Sequence, residues 1–177
     1  MSRLPSASLR LPSLQAADHL PGQLASCSWQ AGWRSLLLRE YAEPAVSGPF
    51  TTLPCEDQLI VLVLEGPCDI RSRHGSSWKH ARQEVGSIGM TRPGEEAQLE
   101  FSSARPGRTL QLHLPGATLR RVARELPNAG SGAPSLPSPL ECRDELVRHT
   151  MLGLAAALED GAPEPSAQTS PGLPGGH

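Results

Sequence analysis

Between Gln58 and Leu114 the sequence repeats one unit at a spacing of about ten residues: a strand-length apolar or alternating run, then a turn signal. Gln58–Glu65 carries six consecutive apolar residues, Leu59 to Leu64, and Gly66-Pro67 ends it. A run of that length and composition predicts a strand covered on both faces. Cys68, Ile70 and Ser72 then alternate with Asp69, Arg71 and Arg73, which predicts a half-buried strand closed by His74-Gly75-Ser76-Ser77. Trp78 to Arg82 and Ser87 to Met90 are shorter candidates. Ala97, Leu99 and Phe101 alternate with polar residues between Arg92-Pro93-Gly94 and Arg105-Pro106-Gly107. Leu110, Leu112 and Leu114 alternate with Thr109, Gln111 and His113. Trp33 to Tyr41 supplies a first strand, and Pro44, Gly48, Pro49 and Pro54 predict a loop after it. Such a series predicts an antiparallel sandwich or barrel.

After Pro115 the period changes. Leu119, Val122, Ala123 and Leu126 fall at i, i+3, i+4 and i+7, which predicts an amphipathic helix with Arg120, Arg121 and Arg124 outward. Pro127 stops it. Ser138-Pro139-Leu140-Glu141 has the form of a capping box, so a second helix is expected over 138–161, with Val147, Met151, Leu154 and Leu158 as one stripe and Gly161 as its stop. The 18 Pro and 17 Gly of the 177 residues concentrate outside these elements. The expected organisation is a flexible arm over 1–27, a barrel with its first helix over 28–127, a linker over 128–137, the second helix, and a disordered tail over 162–177.

Charge and composition exclude several function classes. The formal net charge is -2, and the six aromatic residues offer no base-stacking surface, so the chain is expected not to bind DNA by itself. No segment reaches the roughly 20 apolar residues of a bilayer span. The N-terminus is interrupted by Pro5, Pro12, Gln15 and Asp18, so no signal peptide is expected. Cys27, Cys55, Cys68 and Cys142 form no CxxC pair and suit reduced thiols, which predicts a cytoplasmic protein.

Several residues together resemble one family: Trp33-Arg34-Ser35-Leu36, Pro54 to Asp57, Trp78, Glu84 to Ile88, Arg92-Pro93-Gly94, Leu112 to Pro115, and Cys142-Arg143-Asp144-Glu145. Their order resembles the N-terminal effector-binding and dimerisation region of AraC-family transcription regulators, over residues 33 to 161. The resemblance implies a mainly β, cupin-like, double-stranded barrel followed by two helices. It implies a small-molecule effector, unidentified, and a homodimer formed through the helices. Family members continue into helix-turn-helix units, and Pro163, Pro165, Pro171 and Pro174 leave no place for one, so a regulator truncated before its DNA-binding half is the expectation. A metal-dependent cupin enzyme, and a fragment that titrates full-length regulators, are the alternatives.

Candidate pocket residues follow from the alternating phases: Ile60, Leu62, Ile70, Leu99, Leu110 and Leu112, with Arg71, Arg73, Trp78 and His80 as polar groups to orient a ligand. Val147, Met151, Leu154 and Leu158 are the dimerisation candidates. No His-x-His pair, nucleophile elbow or phosphate loop is present. His74, His80 and His113 are read as solvated, so no metal, no cofactor and no enzymatic activity are expected.

Overall fold

The computed structural model describes residues 14–15, 19–125 and 136–165. Leu126, most of the expected linker and the tail from residue 166 lie outside them. Nine antiparallel strands form two sheets. β1 (Gln23–Cys27), β2 (Leu37–Glu43), β9 (Gly107–Leu114), β4 (Gln58–Glu65) and β7 (Ile88–Thr91) are neighbours in that order. The second sheet runs β3 (Val46–Thr52), β8 (Ala97–Ser103), β5 (Cys68–His74) and β6 (Ser77–Gln83). Among the described residues no ladder joins the two sheets, so the expected barrel is an open, two-layered one. α1 (Gly116–Glu125) and α2 (Glu145–Glu159) follow.

The five-stranded sheet has two covered faces. Register pairs Leu38 with Leu112, Ile60 with Leu112 and Leu62 with Leu110, so these five side chains share one face. With Ile88 they form a cluster completed by Met151, which is fully buried, while Val147, Leu154 and Leu158 of α2 pack around it. The stripe expected to pair between subunits therefore covers the chain's own sheet. The physical reason is the second apolar face of β4 and β9, which needs a cover the strand pattern alone does not supply.

Four elements differ from the sequence expectation. β1 lies inside the arm expected to be flexible and pairs with β2. Trp33 precedes β2 as a fully buried loop residue, its indole donating to the Ala162 carbonyl at 3.2 Å. The Pro-rich segment read as a loop is the edge strand β3, with an irregularity between Ser47 and Phe50 that accommodates Gly48-Pro49. Edge strands tolerate proline where central ones do not.

The fourth difference is the start of α2. Ser138–Glu141 forms no capping box. Instead Ile88 and Cys142 exchange backbone hydrogen bonds at 2.9 and 2.8 Å, and the Met90 amide donates to the Pro139 carbonyl at 2.9 Å. The segment is a strap along the open edge of β7, and satisfying that edge outweighs an extra helical turn. Asp144 is the actual cap, accepting from the Val147 amide at 2.9 Å. Beyond α2, the Glu164 carboxylate accepts from the amides of Arg34, Ser35 and Leu36 and from the Ser35 hydroxyl, which ties residue 164 to the loop before β2.

Candidate functional site: a cavity between the sheets

A cavity of about 140 Å³ lies between the two sheets. Leu59, Val61 and Val63 of β4 form one wall, and Ile70, Leu99 and Phe101 of the second sheet form the other. Phe50 stacks edge-on against Phe101, with ring centroids 6.2 Å apart. Ser138, Pro139 and Leu140 of the strap also line it. Gln58 and Gln83 hold the strap in place, donating to the carbonyls of Pro137 and Leu140 at 3.2 and 2.8 Å. The lining is mostly apolar with a few polar groups, the usual make-up of a small-molecule site. Glu43 is one of these. Burial pushes its carboxyl above the ordinary range, although the Thr109 hydroxyl donates to it at 2.7 Å.

The inward face of the five-stranded sheet is set by register: Arg39 lies opposite Gln111, and Leu37 and Leu59 lie opposite His113. A second chamber of about 40 Å³ is lined by Arg39, Asp57, Gln111 and His113 among others. It shares Leu59, Thr91 and Gln111 with the main cavity as walls. Arg39 and His113 are 2% and 4% exposed. Burial, with the Arg39 charge second, pushes the His113 imidazole from its ordinary 6.5 down to about 3, so the ring is neutral at physiological pH. Its Nδ1 and the Arg39 Nε have no hydrogen-bond partner. In the same chamber, ligand atoms of Cys55, Asp57 and His113 lie within 4.8 Å of one another.

Of the sequence candidates, Ile70 and Leu99 line the cavity. Ile60, Leu62, Leu110 and Leu112 belong to the opposite face, under α2. Both phases of β4 are apolar and covered, so apolar character there did not distinguish the cavity side from the helix side. On β9 the cavity side is the polar phase, Thr109, Gln111 and His113, which sequence reasoning assigned to solvent. Arg71, Arg73, Trp78 and His80 stand on the outer face of the second sheet. Arg71 pairs with Glu100 at 2.7 Å, and both arginines stack on Trp78, which is 41% exposed. The missed residue is Arg39. Alternation in β2 places it in phase with Leu37 and Tyr41, both buried, and that was the available signal.

The strand order, the stacked sheets and the helix over one face define a cupin-like fold. No protein-family model matches the chain, and no curated protein matches it. Among solved structures, it is similar to the AraC-like transcriptional activator CuxR, at 15% identity and a TM-score of 0.50, over 81% of this chain and 47% of that one. It is also similar to HEPD of Streptomyces albus with 2-hydroxyethylphosphonate and Fe(II) bound, at 20% identity and a TM-score of 0.40, over 56% and 22%. A third is hydroxypropylphosphonic acid epoxidase of S. wedmorenis, at 12% identity and a TM-score of 0.39, over 46% and 44%. The chain spans less than half the length of each of these three. At such identities the likeness shows the fold alone.

The expectation that this chain is not an enzyme does not stand. Cys55, Asp57 and His113 converge in a candidate metal-donor set that the sequence pattern did not reveal. Cys55 and Asp57 flank Glu56 just ahead of β4, and His113 comes from the neighbouring β9. No His-x-His search finds such a set. Among the described residues no helix is long and apolar enough to cross a membrane.

Proposed function

We propose that the chain is a small-molecule-sensing, cupin-like domain of the kind carried by AraC-like regulators. The observation that carries this reading is the apolar cavity with Ser138–Leu140 in its wall. Those residues lead within five positions to the Asp144 cap of α2. A ligand touching the strap therefore acts on the element through which a regulator would pass its signal. In size the cavity is close to the roughly 150 Å³ of an engineered apolar cavity that holds benzene. It therefore suits a body of about one six-membered ring.

Benzamide, a neutral molecule of that size, tests the reading. It is expected to raise the thermal midpoint of the wild-type protein in proportion to occupancy. Val61→Trp, which fills the cavity from the β4 wall, is expected to fold and to lose the shift. An equal shift in both proteins would overturn the proposal.

One observation favours a second reading, a metal-dependent cupin enzyme. A soft thiolate, a carboxylate and an imidazole with an unpartnered buried nitrogen fit a divalent transition metal such as zinc or iron. Cys55, Asp57 and His113 would hold it, and the metal would supply Lewis-acid or redox chemistry at the chamber end of the cavity. The adjacent Arg39 charge opposes a cation there, which is why this reading stands second. One equivalent of metal retained by wild type and lost in His113→Ala would reverse the order.

A further inference from the structure

We propose that the ligand is a small organic anion, with its apolar body in the main cavity and its carboxylate in the chamber beside Arg39, His113 and Gln111. The inference rests on the reading of the cavity as a small-molecule site and adds the chemical class of the molecule.

Arg39 carries a full positive charge on a side chain that is 2% exposed. Its hydrogen bonds go to neutral groups: Nη2 donates to the Leu14 carbonyl at 2.8 Å, and Nη1 reaches the Tyr41 hydroxyl at 3.5 Å. Among the described residues no carboxylate forms an ion pair with it, and Nε donates to nothing. A buried cation without a counter-charge is costly, and proteins normally supply a partner. Here the space beside it is a chamber, and a second unpartnered nitrogen, His113 Nδ1, lines the same chamber. In the tautomer with hydrogen on Nδ1, a neutral imidazole donates without needing to be charged. Gln111 lies opposite Arg39 in the β2–β9 register and lines both spaces, so its amide stands where they meet.

Size and polarity agree. A chamber of about 40 Å³ has room for a group on the scale of a few waters, such as one carboxylate. The adjoining cavity of about 140 Å³ presents mostly apolar surface, with Leu59, Val61, Val63, Ile70, Leu99 and Phe101 in its walls, and takes the apolar remainder. Arg92 and the carboxylates of Asp57 and Glu95 line the chamber too. The carboxylates favour a ligand whose own carboxylate approaches from the Arg39 side, and they disfavour a dianion such as phosphate.

The test compares two probes of one shape, benzoate and benzamide, by calorimetric titration of the full chain after dialysis against a chelator. Benzoate is expected to bind at least about tenfold more tightly, a difference of about 1.4 kcal/mol. Arg39→Gln is expected to erase the preference while benzamide binding persists, and Arg39→Lys to keep part of it. Should Arg39→Gln fail to fold, the wild-type ratio and Arg39→Lys decide the matter. Benzamide binding with no gain for benzoate overturns the anion inference and leaves the cavity reading standing. Binding of neither probe overturns both. Benzoate binding that depends on added zinc, and vanishes in Cys55→Ala, overturns the Arg39 subsite in favour of a metal-held ligand.

Discussion

At the residue scale, His113 links the site to stability. Its imidazole titrates near 3 in the folded chain, because burial penalises the charged form, against about 6.5 when unfolded. The unfolded state therefore binds more protons between those values, so stability falls as pH drops below about 6.5. Between pH 7 and pH 5.5 the expected loss is about 1 kcal/mol, read from urea midpoints, and His113→Gln should flatten that slope. An unchanged slope in the variant would place the imidazole in water. A second residue-scale test concerns Gly107. A Cβ there would stand 2.5 Å from the Glu65 carbonyl oxygen, backbone against backbone at the bulge where β4 ends. Gly107→Ala should cost about 2 kcal/mol or more. Gly153→Ala, on α2 with open space around it, should gain up to about 1 kcal/mol from helix propensity. Equal effects at the two sites would contradict the close approach.

At the element scale, α2 is the decisive piece. Its stripe reads identically whether it seals its own sheet or a second subunit's, since a helix presents one face in either case. Met151 is fully buried and Leu146 on the other side is 78% exposed. Met151→Ala should therefore cost roughly 2–4 kcal/mol, and Leu146→Ala less than about 0.5. Placing Glu at Met151 should unfold the protein cooperatively, seen by circular dichroism, because the charge would sit in the sheet's own core. A folded, monomeric Met151→Glu variant would instead return the stripe to an intersubunit role. Glu164 acts beyond the helix. Burial pushes its carboxyl up, but hydrogen bonds from the Ser35 hydroxyl and the amides of Arg34, Ser35 and Leu36 hold it below the ordinary range. That contribution is present above the ordinary carboxylate pKa and is lost as acid protonates the group.

At the scale of the whole molecule, cavity, strap and α2 form one continuous path. Occupying the cavity should stabilise the strap as well as the sheets. Amide exchange in residues 138–142 and in the first turn of α2 should slow on adding benzamide, by the factor set by its occupancy. Slowing confined to the sheet walls would show that the strap does not sense the ligand. β4 and β9 hold the centre of the larger sheet, with α2 packed on one side and the cavity on the other.

The sequence by itself determined the strands from Gln58 to Leu114, their turns, and the two amphipathic helices. Each rests on a period of two or 3.6, on Gly-Pro punctuation, and so on interactions within a few residues. It determined that β4 would be covered on both faces, because six apolar residues in a row leave no wet side. It could not assign which face meets the cavity. That depends on which partner covers each side, and α2 lies more than thirty residues after β9 in the chain. The same holds for Arg39 and His113, polar residues in alternating strands that local reasoning sends to solvent. Only the stacking of the second sheet over that phase turned it inward. β1, β3 and the strap over 138–142 were hidden for a related reason: edge segments draw their order from a neighbour's unpaired backbone, and their own side chains carry little trace of it.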